Sequence, residues 1–186
     1  MFRKICYLGA LLQGWKFKPA LLKDLKSYVL VGAPHTSNWD FLPAVGLMYL
    51  IGDPKFIIKK SWLKFPMSLI LKPMGAFGVE RNQSHGAHQT DVLADIFKSN
   101  DHFIMMISPE GTRSPNDQWK TGFYTVAQKA GVPIVLSYAD YSTKTVGIAK
   151  IIYPKDYESD MKEIMSAYRE FQGKVPQNFK LDKRFI

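Results

Sequence analysis

Between His102 and Ile107 the chain runs almost without interruption through apolar residues, and it then stops at Ser108-Pro109-Glu110-Gly111-Thr112-Arg113-Ser114. A run of this kind fits a central strand covered on both faces, the hallmark of a parallel sheet layered between helices. Pro109 forces Ser108 into an extended conformation, and Gly111 permits a backbone geometry or a close ligand approach that other residues resist. The strand must stop sharply, which leaves Glu110, Thr112 and Arg113 at its carboxyl end.

The rest of the chain alternates in the same way. Tyr28 to Val31, Lys55 to Ile58, Ala76 to Glu80, Pro133 to Tyr138 and Val146 to Tyr153 read as further strands. Helical spacing is expected over Phe41 to Ile51, His88 to Lys98, Thr121 to Ala130 before Gly131, and Glu158 to Phe171. Ser61 opens an apolar, aromatic helical segment that Pro66 limits or kinks; it is either core or a lipid-facing wall. The pattern predicts an α/β fold, with a largely parallel central sheet flanked by helices and antiparallel additions at its edge. At 186 residues, without a linker or repeat, a single domain over 1–186 is expected.

The turn Ala33-Pro34-His35-Thr36-Ser37-Asn38-Trp39-Asp40-Phe41 joins the first of these strands to a helix, where α/β folds usually place chemistry. Two interpretations fit it. His35 and Asp40 match a general base and the carboxylate that orients it. Ser37 and Asp40 also match a capping box, in which Asp40 merely satisfies free backbone N–H groups. Arg81 and Arg113 are two of only five arginines, and both follow strand ends. Their guanidinium groups suit bidentate binding of a phosphate, or else a salt bridge each, with Glu80 or Glu110.

A formal net charge of +9, mostly scattered lysine, suits an anionic membrane surface or anionic ligands. No block of like charge and no clustered arginine and aromatic signature points to nucleic acid. Cys6 is the only cysteine, so no intrachain disulfide forms and a reducing compartment is the simpler expectation. Residues 2–22 mix apolar side chains with lysines and Arg3, which predicts an amphipathic helix lying in a membrane interface or packed on the domain. No apolar run approaches the roughly 20 residues of a membrane span. His85, His88 and Asp91 have a spacing compatible with metal ligation, yet the segment reads equally as a solvated loop and helix start, and no metal is expected.

The order of these pieces is informative. His35-x4-Asp40, then Gly75 to Arg81, then Pro109-Glu110-Gly111-Thr112-Arg113-Ser114, then Val132-Pro133-Ile134-Val135 resembles the four blocks of the glycerolipid acyltransferase family, which includes the 1-acylglycerol-3-phosphate acyltransferases. Trp119-Lys120-Thr121-Gly122-Phe123 resembles the family's usual segment after the third block. The resemblance implies the family's α/β fold and acyl transfer from a thioester, on coenzyme A or acyl carrier protein, to the hydroxyl of a lysophospholipid. It implies His35 as the base, Asp40 as the group that fixes its tautomer, and Arg81 as the binder of the acceptor phosphate. Glu110, Gly111 and Arg113 would shape the acceptor site or organise it from behind; Thr112 and Lys120 complete the implied substrate-binding set.

Physical chemistry agrees. An alcohol is a poor nucleophile until a base takes its proton. A thioester needs no metal or other cofactor to be attacked, but its oxyanion needs donors, and the backbone N–H groups at the helix start after His35 are the expected ones. The acceptor expected first is 1-acylglycerol-3-phosphate, with another lysolipid such as a lyso-aminolipid, or a catalytically silent lipid-binding module, as the rivals. Attachment to the cytoplasmic, inner face of the cell membrane completes the expectation.

Overall fold

The computed structural model describes residues 1–19, 22, 25–79 and 86–186. Among them the strands are β1 (Lys16–Lys18), β2 (Tyr28–Gly32), β3 (Lys55–Lys59), β4 (Ala76–Val79), β5 (Ile104–Ile107), β6 (Ile134–Asp140) and β7 (Thr145–Ile152). The helices are α1 (Phe2–Leu12), α2 (Phe41–Ile51), α3 (Ser68–Met74), α4 (Gly86–Lys98), α5 (Gly122–Ala130) and α6 (Tyr157–Tyr168). One seven-stranded sheet runs β1-β7-β6-β2-β5-β3-β4 among the described residues, parallel except where β7 returns antiparallel to β6. This is a single α/β domain in three layers.

Strand alternation explains the layers. Val29 and Val31 of β2 point into a core closed by α4, α5 and α6, with Phe97, Phe123 and Met161 among its members. Tyr28 and Leu30 point the other way, beneath the layer of α1 and α2. β2 lies between β5 and β6 in register, Val31 opposite both Ile107 and Leu136. The carboxyl ends of β2 and β5 therefore open at the same edge, which brings residue 35 to residue 110.

Two local expectations are corrected. The helix expected over 2–22 ends at Leu12. Gly14 takes a positive φ of 85°, Trp15 turns inward to pack edge-on to Tyr141 at 4.8 Å, and Lys16–Lys18 joins the sheet edge beside β7. Apolar spacing cannot distinguish a longer helix from a chain that turns in to complete a sheet, because the difference lies in partners far along the sequence. The helix expected from Ser61 is a 3-10 turn, Lys60–Leu63, followed after Pro66 by the short α3. Proline has no N–H to continue a helix and clashes with the preceding turn.

α1 is apolar on both sides. Cys6 and Ala10 are buried against α2, while Ile5, Leu8 and Leu12 remain exposed, Leu12 at 90%. Its start is pinned by Arg3, whose guanidinium donates to the carbonyls of Gly52 (3.1 Å) and Pro54 (3.3 Å) and pairs with Asp53. Gly75 leaves room for that guanidinium, since a Cβ there would lie 2.6 Å from Arg3 Nη2.

Candidate active site

β2 ends at Gly32, and the chain passes through Ala33 and Pro34 to His35 before the 3-10 turn Asn38–Asp40 opens α2. Ser37 is extended at the N-cap, and its Oγ accepts from the Trp39 N–H at 3.2 Å. Asp40 Oδ2 reaches back to the N–H groups of Thr36 and Ser37, each at 2.8 Å. The same oxygen lies 3.3 Å from His35 Nδ1. The two interpretations of this stretch are thus one arrangement, in which the capping carboxylate is also the histidine's partner.

The consequence is chemical. Asp40 is buried, and three contacts converge on its Oδ2. Its Oδ1 is buried without a hydrogen bond. Burial first, and then the nearby Asp40 charge, raise the pKa of the Tyr141 phenol. An Nδ1 that faces a carboxylate favours the tautomer protonated at Nδ1, which leaves Nε2 as the acceptor nitrogen. The His35 side chain, 30% exposed, opens onto a cavity.

Glu110 comes from the opposite loop. It is buried, with both carboxylate oxygens 3.0 Å from the His35 backbone nitrogen and Oε2 3.0 Å from the Ser108 hydroxyl. Burial raises its pKa, while hydrogen bonds from His35 and Ser108 oppose that rise. Ser108 and Glu110 therefore fix the loop that carries His35, 75 residues away in sequence. Glu110 pairs with His35 and Ser108 rather than with Arg113.

The other predicted residues lie around it. Arg113 lines the cavity beside His35. Gly111 has a φ of 67°, and a Cβ there would meet Lys120 Cε at 2.7 Å and Nζ at 2.8 Å, so the Lys120 ammonium lies over bare backbone. Thr112 is turned to its own loop, its hydroxyl accepting from the Ser114 N–H at 3.1 Å. Arg113 and Lys120 have no ion pair among the described residues. Arg81, Glu80, His85 and the side chain of His88 lie outside the described residues. Asp91 pairs with Lys129 at 2.6 Å, and no cluster of metal-ligating groups occurs among the described residues.

The expectation that N–H groups of the helix start serve an oxyanion narrows to Asn38, whose backbone N–H has no acceptor among the described residues. The N–H groups of His35, Thr36, Ser37 and Trp39 already donate to Glu110, Asp40, Asp40 and Ser37. A capping box exists to consume the free donors of a helix start, so little remains for substrate. Asn38 is exposed and lines the cavity with Arg113, so its N–H and side-chain amide are donors available there; it stands inside the His35–Asp40 turn, where only the flanking residues signal chemistry.

The cavity, about 290 Å³, runs from His35 between α2 and the sheet. Val45, Met48 and Ile51 of α2 form one wall, and Leu30, Phe56 and Met106 of three strands the other. No motif marks it, since its lining is drawn from α2, α3 and five strands of the sheet. Its predominantly apolar lining suits a hydrophobic ligand, with His35 among the few polar groups that reach it.

A histidine facing a buried carboxylate beside an apolar cavity is an arrangement suited to general-base chemistry. The chain belongs to the Acyltransferase family, whose sequence profile matches residues 18–136, and it is an acyltransferase. Its fold is similar to the crystal structure of the 1-acyl-sn-glycerophosphate (LPA) acyltransferase PlsC from Thermotoga maritima, with a TM-score of 0.58 at 16% identity. The superposition covers 89% of this chain and 73% of that one, a likeness of fold. Comparison with curated protein sequences finds no match.

Proposed function

We propose that the protein transfers a fatty acyl group from a thioester of coenzyme A or acyl carrier protein to the hydroxyl of a lysophospholipid, with 1-acylglycerol-3-phosphate as the acceptor. The observation that carries this is the His35–Asp40 pair at the mouth of an apolar cavity, with Arg113 at its rim and Lys120 on the neighbouring loop. The acyl chain occupies the slot and places its carbonyl carbon near Nε2. His35 removes the acceptor's hydroxyl proton as the oxygen attacks that carbon. Asp40 stabilises the imidazolium, and the tetrahedral adduct collapses to the ester, expelling thiolate, which takes the proton back from His35. Arg113, Lys120 and Arg81 supply positive charge for the acceptor phosphate, and the reaction needs no cofactor.

The acceptor is a membrane lipid, and the surface suits a peripheral position on the anionic inner face of the cell membrane. The exposed side of α1 is apolar, and Trp62, Phe65 and Leu69 project from the 60–74 segment at 62, 81 and 67% exposure. Residues 54–79 contain lysines but no Asp or Glu. Among the described residues no helix is long and apolar enough to cross a membrane. Deleting residues 1–22 would also strip the cover from α2 and remove β1, so paired Leu8→Glu and Leu12→Glu is the cleaner test of attachment. That variant is expected to stay folded and to lose flotation with anionic liposomes; undiminished flotation would remove α1 as the anchor.

The activity is tested by thiol release from long-chain acyl-coenzyme A with lysophosphatidate, other lysolipids or no acceptor. Acceptor-dependent release that disappears in a folded His35→Ala variant is the expected result. Silence with every acceptor, and again with acyl carrier protein thioesters, would refute the enzyme assignment of this site and favour a lipid-binding module.

A further inference from the structure

We infer that Gly173 and Thr36 form a positioning pair for His35, which makes the chain after α6 part of the active-site framework although it lies beyond the matched residues 18–136. The inference rests on the assignment of His35 as the base.

The framework begins at the end of β6. Asp140, buried, accepts from the Ser142 hydroxyl at 2.8 Å, the Thr143 hydroxyl at 2.6 Å and the Gln172 N–H at 3.1 Å. The Gln172 carbonyl in turn accepts from the Tyr141 N–H at 2.8 Å. Residue 172 is therefore fixed to the sheet from both sides of its backbone. The next three residues all meet the catalytic turn. A Cβ on Gly173 would stand 2.6 Å from Thr36 Oγ1, 2.7 Å from Thr36 Cγ2 and 3.2 Å from Pro34 Cβ. Lys174 Nζ lies 4.6 Å from the centre of the Trp39 ring. The Val175 N–H donates to Thr36 Oγ1 at 3.2 Å.

Gly173 does not have a positive φ, so what the position requires is space. Thr36 is 3% exposed and is not part of the cavity wall. Its own N–H donates to Asp40 Oδ2, the oxygen that faces His35 Nδ1. A methyl group at 173, with residue 172 held, has to push Thr36 aside, and Thr36 then carries the Asp40 contact and the adjacent His35 with it. Displacements of this size matter for a base, because misplacement by about 1 Å costs on the order of 100-fold in rate.

The test compares kcat and KM of the full chain with acyl-coenzyme A and lysophosphatidate for Gly173→Ala, Thr36→Val, Thr36→Ser, Thr36→Ala and Gly173→Ala/Thr36→Ala, with His35→Ala as reference and circular dichroism as the check on folding. Gly173→Ala and Thr36→Val are expected to lose about 10- to 100-fold in kcat. KM is expected to stay within about twofold, the signature of a group that acts on the transition state rather than on binding. Thr36→Ser recovers most of the Thr36→Val loss, because it restores the hydroxyl. The double variant loses little more than Thr36→Ala alone, since the collision with Thr36 is gone and only the 3.2 Å approach to Pro34 Cβ remains. Thr36→Val is nearly isosteric and keeps the question answerable if Gly173→Ala does not fold. Wild-type kcat in Gly173→Ala or Thr36→Val beside an inactive His35→Ala overturns the inference alone, as do additive losses in the double variant. An active His35→Ala overturns the base assignment and this inference together.

Discussion

Residues 33–41 and residues 60–74 both follow strands of the same sheet, and they are built in opposite ways. In the first, the backbone N–H groups at 35, 36, 37 and 39 have side-chain acceptors, and Thr36 and Asp40 are buried. In the second, a 3-10 turn and a two-turn helix present Trp62, Phe65 and Leu69 to solvent. On the proposed mechanism the first stretch holds a proton-transferring nitrogen, which needs placement to a fraction of an ångström, and its many polar contacts suit that role. The peripheral membrane contact proposed for the second stretch needs apolar area rather than fixed geometry, which matches its exposed side chains.

The comparison breaks most decisively at the histidine. His35→Ala is expected to lower acyl transfer by about 10²- to 10⁴-fold. Folding should be retained, and the check is thiol release together with a thermal melt. A smaller but double effect is expected for Asp40→Ala, which removes both the imidazole's partner and the acceptor of two N–H groups. Turnover should fall, and stability should drop by about 2 kcal/mol in urea unfolding. If only stability changes, Asp40 is a cap and not a catalytic partner.

At the rim, Arg113→Gln is expected to raise KM for a phosphate-bearing lysolipid by about tenfold and to leave an uncharged acceptor nearly unaffected. Equal effects on both acceptors would assign Arg113 a role other than phosphate binding. In the second region, Trp62→Ser with Phe65→Ser should weaken binding to anionic vesicles about tenfold, from lost apolar burial, while the melting temperature hardly moves. Unchanged binding would remove residues 60–74 from the proposed lipid-facing surface.

The smallest effect is a pH dependence at Glu110. Its folded-state pKa is raised, chiefly by burial, so the ionised form disfavours folding. The wild type therefore loses stability as pH rises from below the ordinary carboxylate value through the raised one. Glu110→Gln keeps an acceptor for the His35 N–H without the charge. It should match or exceed wild-type stability at pH 7 and lose that advantage below about pH 4. Urea unfolding at the two pH values decides it, and a Gln variant weaker at pH 7 would mean that the charge itself holds the loop.

The sequence determined the elements whose cause is local. The apolar run before Pro109 marks β5, Gly131 ends α5 with a φ of 67°, and Ser37 to Asp40 carries the cap within four residues. His35 and Asp40 were legible as a pair for the same reason: five residues across a helix start leave few ways for the side chains to avoid each other. Only the tertiary structure decided that Glu110 holds the His35 backbone, that Trp15 turns the chain from helix to sheet edge, and that Gly173 abuts Thr36. Those contacts join residues about 75, 126 and 137 positions apart, and their geometry depends on strand register and packing, which no short window of sequence encodes.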